Sequence, residues 1–489
     1  MASDHRFIIV GFDALRPELV TAEHAPTLAA WLDGAARFSN ARSVFPSETK
    51  VAMASISTGS WPGAHGIVAN SYFEPATADG RLFDTGDVRQ LARVTEANFG
   101  ALVTAPTLGG ALKAAGKSYL TVSTGTAGNA RFLNPRARDQ DLVAYSILGE
   151  EASSQRADFA GCVARFGPPP AAAVPNVERC RYGARLLLER FLPEERPDVA
   201  VLWLSEPDIT FHYRGVGSPE SLAALRAMDE IFADILAWRD VQPDRDLIHI
   251  VALSDHGQAA VMGRVDIVGE MQSAGLRASN RFGAGVDYVV LASSSGNIWV
   301  RDEDPGLIRA MADWLVERPW LGMLFAKAPM LAPGALPLAL VQNDHSRTPP
   351  LVFTLCTDDR ISRFGLAGRT LIGADPTPDD ETGGVHGGLH SAEMRNLMAF
   401  AGPAFQAGAS FEAPAALPDV APTVLAALGL TAPIGMAGRA LSEGFQDGPA
   451  TPAWGTVTHE AGVGGFRQRL DLMTCDGRVY IDRGGRLSA

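Results

Sequence analysis

Three apolar runs punctuate the chain: FIIV at 7–10, VAVLWL at 199–204 and LIHIVAL at 247–253. None alternates with polar positions, so each reads as a strand buried on both faces. Between them the spacing changes to a helical rhythm. APTLAAWLDGAARF, TLGGALKAAG, RYGARLLLERFL and above all ESLAALRAMDEIFADILAW carry apolar residues three and four apart. SYLTVST adds a further strand, and KVAMASISTG reads as a helix start after Thr49, with Ser47 as N-cap. Repeated helix-then-strand order predicts an α/β fold with a mainly parallel sheet sandwiched by helices.

The alternation lapses twice. Residues 71–100 are rich in Gly, Asp, Thr and Ala with scattered aromatics, which suits a loop or hairpin. From 259 to 380 the segments DYVVLA, GNIWVR, LIRAMADWLVER and PLVFTLC have the makings of a small α+β lid. After it, NLMAFAGPAF and DVAPTVLAALGL resume the main pattern. The expected organisation is a discontinuous α/β core over 1–258 and 381–450, an inserted lid over 259–380, and a C-terminal hairpin extension over 451–489.

Composition narrows the partners. A formal charge of −13 over 489 residues argues against a nucleic-acid polymer, whose binding needs clustered Lys and Arg. The four cysteines, Cys162, Cys180, Cys356 and Cys475, are too far apart for metal-binding pairs and read as free thiols. The opening MASDHRFIIVGFD leaves no room for a signal peptide, and no apolar run approaches the roughly 20 residues of a membrane span. A soluble cytoplasmic protein is therefore expected, with no membrane partner and a homo-oligomer left open.

Each of the three apolar runs ends near an aspartate: Asp13 in GFDALRPE, Asp208 in EPDITFH and Asp255 in SDHG. Ligands of open α/β sheets bind beyond the carboxyl ends of the strands, so these acids are expected to converge. His212 lies four residues after Asp208, one helical turn away on the same face. His256 adjoins Asp255, with Gly257 supplying a sharp turn, and glycines surround His386 in GGVHGG, which lets an ion or substrate approach. Mixed carboxylate and imidazole ligands suit zinc or a similar divalent ion better than magnesium. Two such ions would polarise both oxygens of a displacement. Thr49, in FPSETK, would be a nucleophile only if a metal or base lowered its pKa.

Together, and in this order, the segments resemble the nucleotide pyrophosphatase and phosphodiesterase branch of the alkaline phosphatase superfamily, from Phe7 to about Leu430. The resemblance implies two divalent ions, zinc foremost. Asp13, Thr49, Asp255 and His256 would hold one, and Asp208, His212 and His386 the other. It makes Thr49 the nucleophile of a double displacement through phosphothreonine, and Asn70 of HGIVAN the donor to a phosphoryl oxygen. The substrate implied is a small phosphate ester, foremost a diester.

One feature departs from the nucleotide-cleaving members, in which an aromatic, a proline and an Asn-His pair commonly follow the nucleophile. Here KVAMAS follows Thr49, and Lys50 is positioned to meet a carboxylate or a second phosphate charge. A phosphonate or phosphomonoester hydrolase is the alternative, and a non-catalytic metal-binding module a distant one. A sulfatase would need a Cys or Ser in a C/S-x-P-x-R context, which FPSETKV lacks.

Overall fold

The computed structural model describes residues 4–77, 81–98, 100–374 and 383–487. At its centre the strands Arg6–Asp13, Val199–Pro207 and Ile248–Leu253 lie side by side and parallel, with Arg6–Asp13 in the middle. Tyr119–Ser123 and Val143–Ser146 extend the parallel array on one side. Met398–Ala401 joins antiparallel on the other, and two short strands complete eight. The expected α/β class, with a large mainly parallel sheet flanked by helices, is the architecture observed.

The unbroken apolar runs follow from burial on both faces. Successive side chains of a strand alternate sides, so Phe7, Ile9, Val201 and Trp203 enter one core and Ile8, Val10, Phe12 and Leu202 the other. The first core is closed by the helices Thr49–Thr58, Leu108–Ala114 and Val420–Ala427, the second by Pro26–Asp33, Val177–Leu186 and Pro219–Asp240.

Outside the main sheet, residues 278–355 build a six-stranded sheet. The helices Ile267–Ser273 and Pro305–Leu315 pack on it through Met271, Met311 and Leu315. The strand Ala259–Arg264 pairs antiparallel with Gly384–Val385, so both ends of the interrupting segment meet just before His386. The expected junction at 380–381 lies outside the described residues.

Three local expectations need correction. Residues 71–98 contain the expected hairpin, Ser71–Phe73 with Leu82–Asp84, and also a helix, Val88–Ala97. Asp87 caps that helix by accepting from the amides of Arg89 and Gln90, a start signal obscured by the polar composition. The C-terminal extension is a three-stranded antiparallel sheet, Trp454–Val463, Phe466–Cys475 and Arg478–Arg486, one strand more than a hairpin. It packs Leu470, Leu472 and Ile481 with Phe45, Met323 and Phe325, bracing the loop that precedes Thr49. Ser47 does not cap the Thr49 helix: its hydroxyl donates to the Gly388 carbonyl at 2.9 Å and accepts from the Gly387 amide at 3.1 Å. The hydroxyl is used to fasten the His386 loop instead.

All four cysteines are free thiols. Among the described residues no helix is long and apolar enough to cross a membrane.

Candidate active site

Because the strands ending near Asp13, Asp208 and Asp255 are immediate neighbours, spaced by roughly 5 Å as in any sheet, the three carboxylates gather at one edge. Asp13 is the last residue of its strand, and Ala14 follows in the left-handed region at φ 60°. That turn aims the Ala14 amide at Asp255 Oδ1, 3.0 Å away. Asp13 Oδ2 accepts from the indole of Trp203 at 3.0 Å. The indole lies across Gly11, where a Cβ would come within 2.2 Å of the ring, so glycine is required there for close approach.

Asp208 opens the helix Asp208–Arg214, which puts His212 Nε2 3.4 Å from Asp208 Oδ1. His386 Nε2 is 3.6 Å from the same oxygen, and Gln258 donates to it at 2.5 Å. His256 Nε2 is 3.2 Å from Asp255 Oδ2, 3.9 Å from Asp13 Oδ1 and 3.2 Å from Thr49 Oγ1. The His256 and His386 rings stack with centroids 3.8 Å apart. Among the described residues two groups converge closely enough to hold an ion, Asp13 with Asp255 and His256, and Asp208 with His256 and His386. The sequence grouping assigned His256 to the first alone, whereas it lies between the two. His212 stands beside Asp208 at the rim of the second.

The tautomers decide what these contacts mean. Nδ1 of His212, His256 and His386 lies 2.9–3.0 Å from the carbonyls of Gly384, Gly257 and Ser47 respectively. A carbonyl only accepts, so each Nδ1 carries a proton, and where the ring is neutral its Nε2 turns a lone pair toward carboxylate oxygens. Burial pushes His256 down to about 4 and holds His386 well below the ordinary imidazole range, so both rings are neutral at pH 7. Lone pairs facing lone pairs repel unless a cation lies between them. Two donors bound tetrahedrally at about 2.0–2.2 Å from zinc lie about 3.3–3.6 Å apart, which matches these separations.

The carboxylates tell the same story. Burial, then the charge of Asp255, raises Asp13 well above the usual range, and burial raises Asp255 to about 7. Burial also opposes ionisation of Asp208, but the adjacent His212 ring, through its charge and a hydrogen bond, outweighs it and holds Asp208 low. Asp13 Oδ1 and Asp255 Oδ2 have no hydrogen-bond partner among the described residues. Grouped buried carboxylates with unpaired oxygens fit divalent cations.

Thr49 begins its helix at the floor of this cluster and is 4 % exposed. Asn70 accepts from the Lys50 amide at 3.3 Å, and its own amide donates to the Glu48 carboxylate, leaving Nδ2 as its remaining donor. Lys50 lines the cavity beside Thr49, and its charge lowers the pKa values of Asp13 and His256. Sequence reading missed Trp203, Gln258 and Glu48 as orienting partners. Gln258, directly after SDHG, and Glu48, directly before Thr49, stood beside a recognised motif; Trp203 did not. It also misassigned Gly257, whose φ is not positive: a Cβ there would meet the Ala392 carbonyl at 2.2 Å, so close packing is the reason for glycine.

Several histidines and Arg16, near the motifs in sequence or in the inserted segment, are engaged elsewhere. Arg16 pairs with Glu18 and donates to the Gln258 and Ala367 carbonyls. His65 is buried between Ser55 Oγ and the Ile67 amide. His390 faces Asp359, and the His345 ring accepts from the Arg347 amide.

Glu393 braces the His386 loop. Its Oε1 accepts from the Gly388 amide at 2.8 Å and Ser294 Oγ at 2.9 Å, while burial pushes its pKa up to about 7. A carboxyl with a raised pKa contributes stability fully below its unfolded value, and that stability is lost as pH climbs through the folded value. Glu393→Gln is therefore expected to gain stability over the parent by on the order of 2–3 kcal/mol at pH 8, and to gain none at pH 4. Thermal unfolding of both proteins across that range tests it; parallel pH profiles would refute it.

The cluster opens into a cavity of about 480 Å³ between Ile209 and Tyr213 on one side and Leu291, Ser295 and Asn297 on the other. Strand-end acids, inward-turned imidazoles and a helix-start hydroxyl on an α/β sheet define a hydrolase of the phosphoryl-transfer type. The model of the type I phosphodiesterase / nucleotide pyrophosphatase family matches residues 7–301, and the chain belongs to that family. The solved murine ectonucleotide pyrophosphatase/phosphodiesterase 5 is similar at 16% identity, over 88% of this chain and 96% of its own, with a TM-score of 0.61. An inactive form of the murine protein in complex with AMP gives the same coverage and a TM-score of 0.62. The human protein is 16% identical over 90% of this chain and 100% of its own, also with a TM-score of 0.62. No curated protein sequence matches the chain.

Proposed function

We propose that the chain hydrolyses small phosphate esters, diesters foremost, through a phosphothreonine intermediate on Thr49, and that the core, lid and C-terminal extension expected from the sequence are its working parts. The observation that carries this reading is the pair of neutral imidazoles, His256 and His386, whose Nε2 lone pairs face the carboxylates of Asp255 and Asp208 at 3.2 and 3.6 Å. Asp13, Asp255, His256 and Thr49 would hold one divalent ion and Asp208, His212 and His386 the other, with His256 near both and zinc the ion that best suits the donors. When bound, such ions neutralise phosphate charge and acidify the hydroxyl of a coordinated threonine.

The rest is the work of the protein. Thr49 Oγ1, its orientation fixed by the first turn of its helix, gives up its proton and attacks phosphorus in line. The bond to one ester oxygen breaks and that oxygen leaves as the protonated alcohol. Water then cleaves the Thr49–phosphate bond, releasing phosphate with any remaining ester substituent and restoring the hydroxyl. Asn70 Nδ2 donates to a phosphoryl oxygen, held for that task by Glu48 and the Lys50 amide. Gln258 keeps Asp208, and Trp203 keeps Asp13, from rotating away from the substrate. The larger cavity accommodates one ester substituent. A similar fold in complex with AMP supports a group of nucleotide size there.

Assaying the purified protein on matched aryl diesters, monoesters, phosphonates and sulfates, with metal content measured alongside, tests the reading. Turnover of the diester above the others is expected. A monoester preferred by orders of magnitude would replace the diesterase label by the monoesterase one, and turnover of the sulfate alone would overturn phosphoryl transfer.

A further inference from the structure

A second, smaller cavity of about 240 Å³ opens from the same floor, on the far side of Thr49 and Asp208 from the His386 loop. Lys50, Asn129, Asn176 and Arg179 line it, with Asp13 and Asp208 at the floor it shares with Thr49. Its volume is below the roughly 300–1,000 Å³ of pockets that take drug-sized ligands, so it suits a short substituent rather than a nucleoside.

Its charges are distinctive in a chain of net charge −13. Arg179 lies in the first turn of the helix Val177–Leu186, and its Nε donates to the Pro170 carbonyl at 2.9 Å. No described carboxylate pairs with its guanidinium, whereas Arg181 and Arg185 of the same helix pair with Glu230 at 2.8 Å and Glu189 at 3.3 Å. Lys50 likewise has no carboxylate at ion-pair distance among the described residues. The two amides are buried and only partly used. Asn129, 2 % exposed, accepts from Thr126 Oγ1 at 2.7 Å, which leaves its Nδ2 as a donor. Asn176, 3 % exposed, donates through Nδ2 to Ser205 Oγ at 3.1 Å, and its Oδ1 has no partner. Since a serine hydroxyl can donate as well as accept, this amide can reverse and offer N–H instead. The larger cavity has no arginine in its lining.

We infer that the substrate carries a second anionic group, a carboxylate or phosphate a few atoms from the scissile phosphorus, and that Arg179 with Lys50 binds it in this smaller arm. The inference rests on the phosphoryl-transfer reading above. Arg179 sets the preference because a guanidinium fork matches a planar carboxylate or a phosphate through two parallel hydrogen bonds. The residue touches the substrate away from the reacting atoms, so it governs selectivity and leaves the displacement at Thr49 alone.

Equilibrium binding to the metal-loaded protein tests this with three probes that differ only in their tails: ethylphosphonate, 3-phosphonopropionate and ethane-1,2-diphosphonate. The wild type is expected to bind at least one charged-tail probe about tenfold or more tightly than ethylphosphonate, as a charge-assisted pair would give. Whichever tail is preferred identifies carboxylate or phosphate as the group recognised. Arg179→Ala is expected to erase the difference while leaving ethylphosphonate affinity and the unfolding temperature unchanged, and Arg179→Lys to restore part of it. Equal affinity for charged and uncharged tails in the wild type overturns the proposal, as does an equal loss for all three probes in Arg179→Ala. Failure of the underlying reading is distinct: ethylphosphonate then does not bind and no ester is turned over, which refutes both.

Discussion

Thr49→Ala is expected to lower kcat on an aryl phosphodiester by on the order of 10⁴-fold or more, the scale of loss when a nucleophile is deleted. The side chain starts its helix inside the cluster, with Oγ1 3.2 Å from His256 Nε2. Alanine is a better helix former than threonine and leaves the buried backbone undisturbed, so the protein is expected to fold and bind metal normally. Thr49→Ser keeps a hydroxyl in place and is expected to retain much of the activity. Mass spectrometry of acid-quenched wild type should find a phosphoryl group on the peptide containing Thr49, and none in the alanine variant. Turnover by Thr49→Ala within tenfold of the parent would remove Thr49 from the chemistry.

Removing divalent ions is the second large effect. Stripping by a chelator is expected to abolish ester hydrolysis and lower the unfolding temperature by several degrees. A ligand present at about a thousand times its dissociation constant adds about 4 kcal/mol to stability, and the stripped protein loses that term. It is also left with Asp13 and Asp255 buried beside half-buried Asp208, and with one oxygen each of Asp13 and Asp255 unpartnered among the described residues. Zinc is expected to restore both activity and stability. Asp255→Asn, which removes one charged ligand and keeps the shape, is expected to weaken metal retention without unfolding the chain. Elemental analysis and thermal unfolding measure these outcomes. An active protein free of divalent metal would refute the two-ion site.

Much of this was legible along the chain because the signals are local. A run such as FIIV or VAVLWL is buried on both faces whatever its neighbours, and a carboxylate just past such a run must emerge at a strand end. The four-residue step from Asp208 to His212 needs one helical turn, and the turn is there. Other features resisted sequence reading because their partners are distant. Trp203 reaches Asp13 only through the pairing of Gly11 with Trp203 across two parallel strands. Ser47, a plausible cap by its position, holds a loop more than 300 residues away. Gly257 is explained by the Ala392 carbonyl and not by its own backbone angles.

The sequence by itself therefore determined the fold class, the family and the types of side chain gathered at the strand ends, since periodicity, strand ends and short motifs are written within a few residues of one another. Only the tertiary structure decided that the three acid-bearing strands are neighbours, that His256 stands between both carboxylate–imidazole groups, and that Arg179 and Asn176 share a cavity with Thr49. Those depend on strand order and long-range packing, in which contacts between residues hundreds of positions apart leave no local pattern to read.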